Sequence, residues 1–307
     1  KIKETGVVWG LDGDDRLCGQ EVKSVYENGV KQIWEIKLRS GRRLRVTGNH
    51  LVRTFYGWQE AAKLAIGERV AVARRMSLGE GVDLSNEEIE ALGYLIAEGN
   101  LCHPHGLYFY GKDEEILAEF VGISEKLGLS CKLDRSKSAV SVYLGGGKGN
   151  SLRELCSKLG LLGKKAVDKF VPAKMFEGNE EQISRFVAKL WMGDGCVDVK
   201  SLLTYYATSS EQLAVDLQSL LLRLGVVSTI HRKKFAYRGE FKDGYTVHVT
   251  HQKDLQKLFG LISKYMLGEK LANVQRVLNH PSILHQKQEN KLKVSTLDTI
   301  PIGVLRL

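Results

Sequence analysis

No run of about 18 apolar residues, the length that crosses a bilayer as a helix, occurs in this 307-residue chain, and its opening Lys1-Ile2-Lys3-Glu4 has no secretory-leader pattern. A soluble chain is therefore expected. Cysteine is scarce and scattered: Cys18, Cys102, Cys131, Cys156 and Cys196 never reach metal-ligand or disulfide-framework spacing. Reducing, cytoplasmic conditions are the expectation. His103 and His105 beside Cys102 hint at a ligand cluster, although a polar loop accounts for them better. Acids are outnumbered, 36 Asp plus Glu against 45 Lys plus Arg, for a net charge of +9. Such an excess points to a negatively charged partner. The length suggests roughly two domains, and 43% hydrophobic residues suffice for their cores.

What is present is one segment written twice. Ala91-Leu-Gly-Tyr-Leu-Ile-Ala-Glu98-Gly99 and Val187-Ala-Lys-Leu-Trp-Met-Gly-Asp194-Gly195 are both apolar helical stretches that end in an acid followed by glycine. An acid in a last turn faces the negative end of the helix dipole, where a cation is favoured. Two such helices side by side call for a compensating cation, and a divalent metal between Glu98 and Asp194 supplies it. An ordinary capped helix with a solvated acid is the alternative for either instance alone. The following glycine is expected to stop each helix in the left-handed conformation.

The repeat is longer than the motif. Ser85-Asn86-Glu87-Glu88 and Asn179-Glu180-Glu181-Gln182 both read as capping boxes. Leu107-Tyr108-Phe109-Tyr110 matches Leu203-Thr204-Tyr205-Tyr206 at the motif's own offset of 96, and the helices that follow close on Leu127-Gly128 and Leu224-Gly225, at an offset of 97. A unit of this size is a duplicated subdomain rather than a solenoid repeat. Each copy reads helix, strands, helix, strands, helix, an α+β pseudo-dimer.

Residues 1 to about 75 differ in kind. Val7-Val8-Trp9, Glu21 to Tyr26, Gln32 to Ile36 and Arg43 to Thr47 alternate apolar and polar, with turn signals at Asp12-Gly13, Asn28-Gly29 and Ser40-Gly41. That pattern predicts short β-hairpins. Thr47-Gly48-Asn49-His50 closes the last of these strands and can aim a hydroxyl and an imidazole at one backbone amide. A hydrogen-bonded loop histidine is the plainer reading of the same residues. Basic residues fall in the expected strands of both repeats: Lys132, Arg135 and Lys137 in the first, Arg232, Lys233, Lys234 and Arg238 after His231 in the second. They can track phosphates, and solvated sheet faces are the alternative.

The paired acidic helices resemble the two motifs of LAGLIDADG homing endonucleases. The stretch from Asn28-Gly29-Val30-Lys31 through Arg43 to His50 and on to Gly57-Trp58 is similar to the splicing (Hint) domain of inteins, close to those of replicative helicases. Together the resemblances imply an α+β fold: a pseudo-twofold endonuclease of two αββαββα subdomains inserted in a mostly β, incomplete Hint domain. The expected boundaries are 1–75 for the Hint part, 76–178 and 179–285 for the subdomains, and 286–307 for the re-entry. The resemblance further implies metal-dependent hydrolysis of double-stranded DNA at a long asymmetric site by a monomer, with Glu98 and Asp194 binding Mg²⁺ or another divalent cation such as Mn²⁺. A location in the cytoplasm, on the nucleoid when bound to DNA, follows.

The family also places one basic residue per half at a strand-to-helix junction, which points to Lys253 and, less directly, Lys148. Helix packing calls for small residues, met by Gly93, Ala97 and Gly193; Lys189, at a normally small position, is expected to snorkel outward or loosen the contact. In the splicing part, the resemblance gives Thr47 and His50 the role of polarising the N-terminal junction. Neither a leading Cys or Ser nor a closing His-Asn is present, so splicing by this chain alone is not expected. Host exteins would be partners in a full precursor. Two rival functions stay open, a silent DNA- or RNA-binding module and a splicing element acting in trans.

Overall fold

A computed structural model describes residues 6–13, 17–145, 149–237, 239–284 and 297–306. The chain divides into two compact units, Lys1–Met76 with Lys287–Leu307, and Ser77–Gln286. No helix among the described residues is long and apolar enough to cross a membrane.

The first unit is β-structure around a small core. Strands β1 (Val7–Leu11) and β2 (Leu17–Glu21) form a hairpin. Strands β3 (Ile33–Leu38), β4 (Arg43–Thr47), β5 (Leu51–Thr54), β6 (Gly57–Glu60) and β7 (Arg69–Ala73) follow, and the C-terminal strand Leu297–Arg306 lies between β3 and β7, antiparallel to both. The expected strand through Val22 to Tyr26 is absent; only Glu21 of that stretch is in a strand. Ile36, Leu38, Val52, Leu64, Val70 and Ile302 make the core.

The second unit contains the repeat. Its first half runs α1 (Asn86–Glu98), β8 (Gly99–Asn100), β9 (Leu107–Gly111), α2 (Glu114–Lys126), β10 (Cys131–Asp134), β11 (Val140–Leu144) and α3 (Ser151–Lys158). Its second half runs α4 (Glu180–Asp194), β12 (Gly195–Asp198), β13 (Leu203–Thr208), α5 (Glu211–Arg223), β14 (Thr229–Tyr237), β15 (Glu240–Val249) and α6 (Gln252–Ile262); α7 (Gly268–Leu278) follows. Both halves pair their strands in the same order, first to second to fourth to third. Both motif helices open on complete capping boxes. Ser85 Oγ accepts from the Glu88 amide at 3.1 Å, Asn179 Oδ1 accepts from the Gln182 amide at 3.0 Å, and each N3 side chain returns a bond.

Alternation decides which sheet face is covered. In β11, Val140, Val142 and Leu144 are buried while Ser141 and Tyr143 are half-buried. Helix α2 covers the apolar side with Ile116, Leu117, Phe120 and Ile123, and α5 does the same with Leu213, Leu217, Leu220 and Leu221. The opposite faces stay open. Gly128 (φ +75°) and Gly225 (φ +69°) take the left-handed cap after α2 and α5, where glycine escapes the Cβ clash.

The pairing also relocates the insertion between repeats. Gly99 pairs with Phe109, whereas Gly195 pairs with Tyr206, so the strands are offset by 97 rather than 96. Phe109 and Tyr206 are the equivalent residues. The extra residue therefore precedes the second strand.

Candidate active site

Helices α1 and α4 lie side by side, pointing the same way, because two positions lack bulk. A Cβ on Gly93 would stand 2.8 Å from Lys189 Cβ and 2.9 Å from the Phe186 carbonyl oxygen; one on Gly193 would meet Ala97 Cβ. Such approach is open only to glycine. The glycines that end the helices work differently from the left-handed stop expected of them. Gly99 (φ −87°, ψ 151°) and Gly195 (φ −76°, ψ 140°) are extended, and the chain passes straight from helix into strand. Glycine is needed there because a Cβ would press on the carbonyl oxygens of Leu95 and Trp191, each at 2.5 Å.

This packing brings Glu98 and Asp194 to one end of the helix pair. Both line a cavity of about 570 Å³ with Lys169, Tyr205, Lys233 and Thr246. Glu98 also lines a second cavity of about 580 Å³, with Gly193, Cys196, Lys270 and Asn273. Neither helix has a basic residue in its last turn. The cation comes from outside each helix. Lys169 Nζ donates to the carbonyl oxygens of Leu95 (3.1 Å), Ala97 (3.2 Å) and Gly99 (2.9 Å) at the end of α1. Lys270 Nζ donates to those of Trp191 (3.0 Å), Met192 (2.8 Å) and Gly193 at the end of α4. Each ammonium thus uses its three donors on carbonyls at a helix end, where few backbone donors remain to meet them.

Glu98 is exposed and Asp194 half-buried, and their electrostatics differ accordingly. Burial, then the neighbouring charge of Glu98, push the Asp194 carboxyl up to about 7, against the opposing pull of Lys169, Lys270 and the Tyr206 hydroxyl. The Tyr206 hydroxyl donates to Asp194 Oδ2 at 3.4 Å, and burial with the nearby acids raises it well above the ordinary tyrosine range. The equivalent Phe109 has no hydroxyl, so only Asp194 receives this bond. Burial lowers Lys169 to about 8 despite Asp194 and Glu98, and lowers Lys270 for the same reason.

The two carboxylates fit a hard divalent cation. Among the described residues no group of three or more His, Cys, Asp or Glu could cage a metal. Mg²⁺ does not require one, since it keeps several waters and takes one or two carboxylates plus phosphate oxygens. Asp194 is raised first by burial and then by the charge of Glu98, and a cation there would offset both.

Lys253 stands at the strand-to-helix junction expected of it, exposed in the first turn of α6 just after β15, and the lysines that act on Asp194 are Lys169 and Lys270. Lys148 and Arg238 fall outside the described residues. Lys189 neither snorkels nor loosens the contact. It is 1% exposed, with its Nζ 2.6 Å from Glu119 Oε1 and 2.8 Å from the Tyr265 carbonyl, over the Tyr94 ring. Gly93 makes room for its Cβ, and Glu119 of α2 supplies its charge partner.

Of the basic residues, Lys132 is exposed on β10 and Lys137 in the turn after it. Arg135 folds back onto Glu114 through both terminal guanidinium nitrogens. Arg232 is held by Asp243 at 2.7 and 3.1 Å, Lys233 lines the first cavity, and Lys234 is exposed. Thr47 ends β4, and the His50 amide donates to its carbonyl at 3.0 Å, with the imidazole exposed. His103 and His105 lie in a loop, where the His103 ring makes edge-to-face contacts with the His105 and Tyr108 rings.

Lys169, Lys270, Tyr206 and Glu119 were missed from sequence. The acids are 96 apart but the lysines 101 apart, so no constant offset links the latter. The signal that was available is the dipole: two helices ending in acids demanded cations from elsewhere in the fold.

Residues 181–263 match the family model of the LAGLIDADG-like domain. The second half of this unit thus contains such a domain. Among curated proteins, the replicative DNA helicase DnaB of Synechocystis sp. is 30% identical over 302 residues, 92% of this chain and 34% of that protein. The DnaB of Rhodothermus marinus is 30% identical over 81% of this chain and 28% of its own length, and the protein RecA of Mycobacterium bovis 29% identical over 71% and 28%. The chain spans about a third of the length of the curated relatives it matches. Among solved structures, I-DmoI in complex with DNA and Ca aligns at a TM-score of 0.44 with 12% identity, over 62% of this chain and 97% of that one.

Proposed function

We propose that this chain is an intein-type homing endonuclease that cuts double-stranded DNA at a long asymmetric site, using Mg²⁺ or a similar divalent cation. The observation that carries this is the pairing of Glu98 and Asp194 at adjoining helix ends, each helix end capped by a lysine, Lys169 buried and Lys270 half-buried. Glu98 and Asp194 are the residues that would hold the cation, through their carboxylate oxygens. Bound there, a divalent cation supplies charge neutralisation on the phosphate and activation of the attacking water.

Lys169 and Lys270 take the role expected of Lys148 and Lys253. Each is fixed by three carbonyls and lines a different cavity, so each presents preorganised positive charge where a phosphate gains charge. Two cavities sharing Glu98 suit two scissile phosphates, one per strand. The open sheet faces, with Lys132 and Lys137 in one half and Lys233 and Lys234 in the other, bind the duplex flanks. Because one chain holds both halves, it acts as a monomer, in the cytoplasm on chromosomal DNA. Retention of both acids and both lysines favours a cutting enzyme over a silent binding module.

The first unit is proposed to be a protein-splicing fold interrupted by the nuclease. Its C-terminal strand, the partner of both β3 and β7, supports this, since the segments before and after the second unit build one sheet. Thr47 and His50, on one hydrogen-bonded turn, then face the junction with the host exteins. The test uses a duplex carrying an uninterrupted replicative-helicase coding sequence. Mg²⁺-dependent double-strand cleavage by the wild-type chain, lost in Glu98→Gln and in Asp194→Asn with DNA binding retained, is expected. Cleavage that survives both changes overturns the assignment.

A further inference from the structure

Each capping lysine serves a helix of its own half but is carried on a segment that rests against the other half. Lys169 caps α1, yet its own carbonyl accepts from the Ser210 hydroxyl at 2.6 Å, at the start of α5. Two residues on, the Val171 amide donates to Asp216 Oδ2, also on α5, at 3.0 Å. Lys169 lies in irregular chain, and its side chain is buried. Backbone there has no helix or strand to satisfy it and needs outside partners. Ser210 and Asp216, 41 and 45 residues away along the chain, supply them. The peptide on either side of Phe170 is thereby pinned to the second half at two points.

The duplication repeats the arrangement with other residues. Ser210 follows Asp113, and Asp216 follows Glu119, by 97 residues each. Asp113 Oδ1 caps α2 as Ser210 caps α5. Its Oδ2 lies 3.3 Å from where a Cβ on Gly268 would stand, at the start of α7 and two residues before Lys270. Leu267 gives α7 no side-chain cap, so the carboxylates of Asp113 and Glu115 stand at an N-terminus that favours negative charge. Glu119 acts one step removed. Lys189 Nζ joins it to the Tyr265 carbonyl, in the turn that leads into α7. The same two positions of α2 and α5 therefore serve the lysine-bearing segment of the opposite centre.

We infer that α2 and α5 are crossed positioning elements. Ser210 and Asp216 of the second half hold Lys169 on α1, and Asp113 and Glu119 of the first half hold Lys270 on α4. Each centre is then complete only while the opposite half is packed against it. The effect on cleavage rests on the DNA-cleaving reading, whereas the positioning is measured without DNA. Ser210 also caps α5 through the Leu213 amide, so Asp216, inside the helix, is the residue to vary. The full chain, free of metal, is reductively methylated, and labelling of Lys169 and Lys270 is followed by peptide mass spectrometry.

In Asp216→Ala, labelling of Lys169 should rise about five-fold, the factor that one ordinary hydrogen bond is worth, with Lys270 unchanged. Asp216→Asn keeps an oxygen for the Val171 amide and should label as wild type does. On a cleavable duplex end-labelled on either strand, Asp216→Ala should slow the strand that Lys169→Met slows, by a like factor. It should spare the strand that Lys270→Met slows, although Asp216 belongs to the half of Lys270. Lys169 labelling that stays at the wild-type rate, rises together with Lys270, or is not restored by asparagine overturns the crossed positioning and leaves the nuclease reading standing. A wild type that cuts no duplex overturns that reading alone, and methylation still decides the positioning.

Discussion

Replacing Asp194 by asparagine should stabilise the metal-free protein while abolishing cleavage. Asp194 titrates near 7 in the fold, raised first by burial and then by Glu98. An unfolded aspartate titrates near 3.9. The folded state therefore holds an extra proton between about pH 4 and pH 7, and unfolding releases it. By linkage, stability falls as pH rises through that window and stays low above it. The gap of about three pKa units corresponds to roughly 4 kcal/mol at pH 8. In Asp194→Asn the new carboxamide has no charge to desolvate and retains an oxygen for the Tyr206 hydroxyl, so most of that cost should vanish. For a unit of this size, about 2–4 °C per kcal/mol translates this into a rise in Tm of roughly 8–16 °C. The assay is thermal unfolding of both proteins from pH 4 to pH 8 in chelator. The curves should meet near pH 4 and separate as pH rises. Parallel curves, or a wild type that gains stability across the window, would refute the claim that Asp194 is a desolvated, like-charge-strained carboxyl.

The same proton competes with the metal. Below pH 7, Mg²⁺ affinity should fall about tenfold per unit, with up to one proton released per ion bound, measurable by calorimetry in buffers of different ionisation enthalpy. Lys169→Met and Lys270→Met should each slow cleavage by about 10² to 10³ while leaving duplex binding nearly intact, and should accumulate nicked product because each lysine lines a different cavity. Lys253→Ala should cost far less in the same assay. Lys189→Ala should destabilise the second unit by about 3–5 kcal/mol, seen in denaturant unfolding, because it strands Glu119 beside the helix pair. Gly193→Ala, which forces a methyl onto Ala97, should cost about 1–3 kcal/mol and impair cleavage through the spacing of the two acids.

Much of the second unit was legible because its signals are local. The capping boxes at Ser85 and Asn179 need only side chains three residues apart to close. The left-handed glycines at 128 and 225 and the 2-residue alternation in β11 are equally short-range. The first unit was harder. Val22 to Tyr26 alternate as a strand should, but an alternating stretch becomes a strand only if a neighbour pairs with it. The C-terminal strand that completes that sheet lies more than two hundred residues from its partner β3.

The sequence by itself determined that two helices end in acids against their own dipoles, that they are equivalent members of a duplication, and that small residues stand where they touch. It could not determine which cations answer them. Lys169 and Lys270 sit after loops of unequal length, and only the packing of each half carries their ammonium groups back to a helix end. Lys189 shows the same limit from the other side: a charged residue at a helix contact looks misplaced until the tertiary structure sets Glu119 beside it and Gly93 beneath it. Helices and caps follow from neighbours along the chain, whereas the charge balance of a buried site depends on groups that only folding brings within a few ångströms.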